Sequence, residues 1–177
     1  MLYEEKTMKS ERIFEGKVLT LRVDTIELPN KKYSKREIIE HSGGVAIVAV
    51  TDEWEIVLVK QYRKAIEDFL LELPAGKLEY GEDPLECGKR ELKEETGYTA
   101  GSMELLSETY SSPGYSTEKI YIYLARDLVA GESALDEGEY LEVDKIKIEK
   151  LIEMVNNNKI KDSKTINGIL IAQNKLK

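Results

Sequence analysis

Apolar residues in the first sixty positions fall in short alternating or continuous stretches, not in helical stripes. Val18 to Leu28 alternates in part, through Leu19, Leu21, Val23, Ile26 and Leu28, and reads as a strand. Pro29-Asn30-Lys31-Lys32 supplies a turn, and Ser34 to Glu40 continues as a second strand. This N-terminal hairpin unit, residues 1–42, is too small to stand alone and must pack on the main body or on another subunit. Gly44 to Val50 (GVAIVAV) and Ile56 to Val59 are unbroken apolar runs separated by Thr51-Asp52-Glu53. That is the pattern of central strands covered on both faces.

The pattern changes after Leu70 to Leu73, a short strand that runs into Pro74-Ala75-Gly76. Pro84 to Thr96 takes a helical period, with Pro84 suited to the first turn and Gly97 to the C-terminal cap. Glu104 to Tyr110, Lys119 to Ala125 and Tyr140 to Ile146 read as further strands. Two helical patterns close the chain, Ile148 to Asn156 and Ser163 to Asn174. Strands with helices before and after them predict an α+β fold, an α/β/α sandwich around a mixed sheet, with residues 43–177 as the main domain.

The helix carries the chemistry. Glu91 and Glu95 lie one turn apart on a single face with Glu94 beside them. Like charges at this spacing cost a bare helix a few tenths of a kcal/mol each. A divalent cation held by carboxylate oxygens is the simplest way to offset that. The net charge of −8 points the same way. It argues against a nucleic-acid partner and makes a phosphorylated substrate awkward unless cations intervene. At 177 residues the chain fits one domain with an appended piece. It contains no apolar run of the roughly 20 residues a membrane span needs. An N-terminus without an apolar signal core and a single cysteine, Cys87, suit a reducing cytoplasm, with Cys87 in a packing role.

Gly76, Glu82, Arg90, Glu91, Leu92, Glu94, Glu95 and Gly97 fall on the fixed positions of the pattern G-x5-E-x7-R-E-U-x-E-E-x-G-U, where U is bulky and apolar. The stretch closely resembles the Nudix box; only Tyr98 stands where an aliphatic residue is usual. The resemblance implies a Nudix fold and a Mg²⁺-dependent hydrolase, with Mn²⁺ as a substitute, acting on a nucleoside diphosphate linked to another group. It also implies metal ligands at Glu91, Glu94, Glu95 and the Ala75 carbonyl. Arg90 would orient the glutamates, and Glu82 would support them.

Substrate clues lie outside the box. Ser112-Pro113-Gly114 places a proline fifteen residues beyond Tyr98, as in the subgroup of Nudix enzymes that cleave ADP-ribose. Read from the residues alone, Pro113-Gly114 is a tight turn that could wall a pocket. Val59-Lys60-Gln61-Tyr62-Arg63 resembles a segment of the same subgroup whose arginine contacts phosphate, a task suited to a planar guanidinium fork. Arg36 resembles a second ligand-contacting arginine of that subgroup. The stretch Asp136 to Val143 resembles a loop that brings a distant glutamate to the attacking water. Glu139 is the candidate, Glu137 the fallback, and Glu118 a further acidic neighbour. Tyr33, Tyr62, Tyr115, Tyr140 and Trp54 could stack a base, while His41, the sole histidine, reads as structural. Together these imply hydrolysis of ADP-ribose to AMP and ribose 5-phosphate by a homodimer with exchanged N-terminal strands. The alternatives are another nucleoside diphosphate sugar such as GDP-mannose, a dinucleotide polyphosphate, or a non-catalytic module that senses a nucleotide sugar.

Overall fold

Residues 2–135 and 137–176 are described by a computed structural model. The chain parts into two units. One holds the residues up to Gly43 together with Tyr110–Lys119; the other holds Gly44–Thr109 and the chain from Ile120 onward.

The first unit is built on three antiparallel strands in the order β1 (Lys6–Glu15), β2 (Thr20–Glu27), β3 (Tyr33–Glu40). The apolar pattern predicts a two-stranded hairpin; β1 is the addition. All ten of its residues are exposed, so no buried face imposes the alternation by which strands are recognised. Its pairing with β2 slips between Thr7 and Lys9 and between Arg12 and Phe14, irregularities of the bulge type. The expected turn sits at residues 28–32, where Lys31 takes a positive φ of 64° and the Leu28 N–H donates to the Lys32 carbonyl.

The second unit is organised around β4 (Gly44–Val50), whose seven residues are all buried. It runs parallel to β9 (Lys119–Val129) and antiparallel to β5 (Glu55–Arg63) and β7 (Ala75–Lys77). β6 (Asp68–Glu72) and β10 (Leu141–Lys147) pair with β5, and β8 (Thr99–Tyr110) flanks β9. The unbroken apolar run of β4 has a direct cause. Val45, Ile47 and Ala49 pack with Cys87 and Leu92 of α1 (Pro84–Thr96). Ala46, Val48 and Val50 pack with Leu151 of α2 (Ile148–Asn156) and Ile169 of α3 (Ser163–Lys175). Both faces are therefore apolar, as an internal strand of an α/β/α sandwich requires. Truncating a side chain such as Leu151 to alanine would cost about 2–5 kcal/mol.

β7 was not expected from sequence, and it matters for the site. Its three residues pair Ala75 with Ala46 and Gly76 with Val45, which holds the Ala75-Gly76 backbone against the central strand.

Candidate active site

α1 is fixed at both ends. The Asp83 carboxylate accepts from the N–H groups of Leu85 (2.9 Å) and Glu86 (3.2 Å), and Pro84 follows where no N–H is needed. Gly97 closes the helix at φ 77°, a left-handed conformation that glycine adopts without strain. Three glutamates and one arginine between these caps, with Glu82 just before them, form a charge cluster.

Arg90 is its hub. Nε and Nη2 donate to the two Glu82 oxygens at 3.0 and 3.2 Å, while Nη1 donates to Glu91 at 2.8 Å and Glu94 at 2.9 Å. This guanidinium holds the Glu82 carboxyl down to about 2, helped by the Glu79 N–H. Part of the repulsion that the sequence attributes to a missing cation is therefore offset by Arg90 itself. Glu95 is different. It is buried, and its Oε2 accepts from the Ala75 N–H at 3.0 Å. Burial pushes its carboxyl up to about 8, and Glu91 and Glu139 push in the same direction; the Ala75 N–H and Arg63 pull back less. Glu91 is raised too, by burial first and then by Glu94 and Glu139, against the pull of Arg90.

Gly76 lets this cluster form. A Cβ placed there would lie 1.8 Å from the Glu91 carboxyl carbon, so any side chain would evict that carboxylate from its seat on β7.

The expected site residues of the second unit therefore converge. Glu82, Arg90, Glu91, Glu94 and Glu95 meet on α1 and the loop before it, and Ala75 touches Glu95. Glu139, exposed in the loop before β10, acts electrostatically on Glu91 and Glu95, as Arg63 acts on Glu95. Asp136 of that loop lies outside the described residues. Glu139 also edges a cleft of about 460 Å³ lined by Lys60, Phe69 and Tyr140.

Arg63 is engaged more firmly than a free clamp. Its Nε and Nη2 donate to Glu72 at 2.7 and 2.8 Å. Neither Glu72 nor Lys164, which also contacts it, was singled out from sequence. The available signal was a carboxylate flanked by Leu71 and Leu73 in an otherwise apolar strand end.

Arg36, Pro113 and Gly114 belong to the first unit. Arg36 donates through Nε to Glu5 at 2.9 Å and pairs with it again through Nη2. Pro113-Gly114 forms the expected turn, closed by the Tyr115 N–H on the Ser112 carbonyl at 3.1 Å. Its loop is laced to β3, where the Ile39 N–H donates to Tyr115 and the Thr117 N–H to Ile39. His41 accepts at Nδ1 from the Gly43 N–H, a local structural bond, and in the second unit Cys87 is buried with its thiol pushed up to about 12. Tyr33, Tyr62, Tyr115, Tyr140 and Trp54 are all exposed. No helix among the described residues is long and apolar enough to cross a membrane.

Residues 40–166 match the NUDIX domain, and residues 5–39 match the nucleoside diphosphate sugar hydrolase N-terminal domain. The chain belongs to the Nudix hydrolase family. It is 47% identical over 172 residues to an ADP-ribose pyrophosphatase of Bacillus subtilis, covering 96% of this chain and 93% of that one. It is 46% identical over 174 residues to a methanol dehydrogenase activator of Bacillus methanolicus, covering 97% and 94%. A GDP-mannose pyrophosphatase of Salmonella typhimurium is 30% identical over 174 residues, covering 90% and 91%. The solved structure of an ADP compounds hydrolase superposes with a TM-score of 0.87 over 99% of this chain and 96% of that one. At 22% identity it shows the fold alone.

Nudix enzymes of this kind depend on divalent metal, and the donor set fits one. Burial raises the carboxyl groups of half-buried Glu91 and buried Glu95, and hard oxygen ligands of this kind suit divalent ions. No three acidic, histidine or cysteine groups among the described residues close into a finished cage. Glu91 and Glu94 turn to Arg90, and Glu95 turns to the Ala75 N–H.

Proposed function

We propose that this chain hydrolyses the diphosphate bond of ADP-ribose, giving AMP and ribose 5-phosphate, with Mg²⁺ as its cation. The observation that carries the reaction class is Glu95, a buried carboxylate that receives one N–H and no ion pair among the described residues. The choice of substrate rests on the 47% identical ADP-ribose pyrophosphatase.

Glu91, Glu94, Glu95 and the Ala75 carbonyl are the proposed cation ligands, and Arg90 keeps the first two oriented. When bound, the cations neutralise the diphosphate oxygens and acidify an attacking water. Glu139, exposed in the loop before β10, would orient the attacking water or take its proton. Arg63 grips phosphate so that attack is in line. Arg36, Pro113 and Gly114 are proposed as further substrate contacts.

A homodimer with exchanged N-terminal strands is part of the same proposal. It would cover Met8, Ile13 and Phe14, exposed on β1. A cytoplasmic setting agrees with the single buried thiol.

The test is incubation with ADP-ribose and Mg²⁺ beside GDP-mannose and a dinucleotide polyphosphate, with products identified. AMP plus ribose 5-phosphate at the highest kcat/KM is expected. A higher kcat/KM on GDP-mannose would transfer the assignment to the activity named for the Salmonella relative. Binding without AMP release would mark a sensing module.

A further inference from the structure

Glu72 is 1% exposed, yet it is held as a carboxylate. Burial opposes the charge, but Arg63 and Lys164 together keep it below the usual carboxylate range. The Arg63 fork meets both of its oxygens, and Lys164 Nζ contacts Oε2. Lys164 also reaches Asp162 at 3.0 Å, and Asp162 caps α3 by accepting from the Thr165 N–H at 2.9 Å. The Thr165 hydroxyl bonds Asp162 at 2.6 Å and accepts the Leu73 N–H at 2.8 Å. An unbroken polar chain thus runs from Arg63 on β5, through the end of β6, into the first turn of α3.

Lys164 is badly placed for its own helix. A cation in the first turn faces the positive end of the helix dipole and weakens the helix. Its position makes sense through Glu72. With Lys164 present, the two cations balance Glu72 and Asp162. Without it, Arg63 is left against Glu72 and Asp162 with a net negative charge, and it also feels Glu95 electrostatically.

We propose that Glu72 and Lys164 are positioning residues for the reaction. Glu72 fixes the plane of the Arg63 guanidinium, and Lys164 keeps that guanidinium attractive to the substrate's diphosphate, so that α3 sets binding strength. This rests on the reading that Arg63 grips phosphate.

The test compares wild type with Arg63→Gln, Lys164→Met, Lys164→Gln, Lys164→Arg and the double variant Arg63→Gln/Lys164→Met. KM and kcat for ADP-ribose are measured alongside thermal melting. Lys164→Met and Lys164→Gln should each raise KM about tenfold with kcat within about twofold, a loss of roughly 1.4 kcal/mol in binding. Lys164→Arg should restore most of it. In the Arg63→Gln background, Lys164→Met should raise KM no further, because both changes remove one interaction. A lower melting temperature with unchanged KM in both neutral variants would reduce Lys164 to a structural ion pair and overturn the proposal. So would an additive double variant. If Arg63→Gln leaves KM unchanged, the phosphate-gripping role of Arg63 fails first and the positioning role falls with it.

Discussion

Two glutamates are buried in the same unit, and the protein treats them in opposite ways. Glu72, between β6 and α3, receives an arginine fork and a lysine and is held ionised. Glu95, on α1 against β7, receives one backbone N–H, and its carboxyl rises to about 8. A buried charge is costly unless paired, so the contrast separates a carboxylate the fold has compensated from one it has left largely uncompensated. An acidic site earmarked for cations is recognised by carboxylates whose compensation is missing, more than by how many it contains.

The largest effect should come from removing the unsatisfied charge. Glu95→Gln, assayed at saturating Mg²⁺, should lower kcat on the order of a hundred- to a thousandfold, because charge stabilisation at the reacting phosphate is lost. Full activity would erase the distinction between the two glutamates.

Glu72→Gln should do the reverse: it strands Arg63 and Lys164 and should destabilise the fold by about 3 kcal/mol, the low end for a broken buried pair because Arg63 is partly exposed. Chemical denaturation of both variants without metal checks the pairing directly. Glu95→Gln should be neutral or stabilising at pH 8, where Glu72→Gln is costly. Gly76→Ala should weaken cation affinity about 10–100-fold by displacing the Glu91 carboxylate, seen as a raised metal requirement for activity.

A further effect is on pH dependence. Glu95 has a folded pKa raised above its ordinary 4.5, so its contribution favours the fold below that value and is lost as pH rises through about 8. The metal-free protein should therefore lose stability between pH 5 and pH 9, and Glu95→Gln should flatten that slope. Denaturation midpoints across this range decide it.

How much of this was legible in the sequence follows from the range of each interaction. The box helix declared itself, since its caps, its glycines and its carboxylate spacing all lie within one stretch. β4 was readable because two buried faces leave an unbroken apolar run. β1 escaped because it buries nothing, and β7 because its three residues are strand only through pairing with β4. Arg63 could be singled out as a candidate phosphate ligand by resemblance, but its fork on Glu72 could not. Lys164 joins that carboxylate from 92 positions away, beyond the reach of local pattern.

The most direct measurement is calorimetric titration of the metal-free protein with Mg²⁺ near pH 7, in two buffers of different ionisation enthalpy. Cation binding should release close to one proton, because the Glu95 carboxyl must ionise to become a ligand. Glu95→Gln should bind more weakly and release almost none. Equal affinity and equal proton release in wild type and Glu95→Gln would show that the cation sits elsewhere and that Glu95 is an ordinary buried acid.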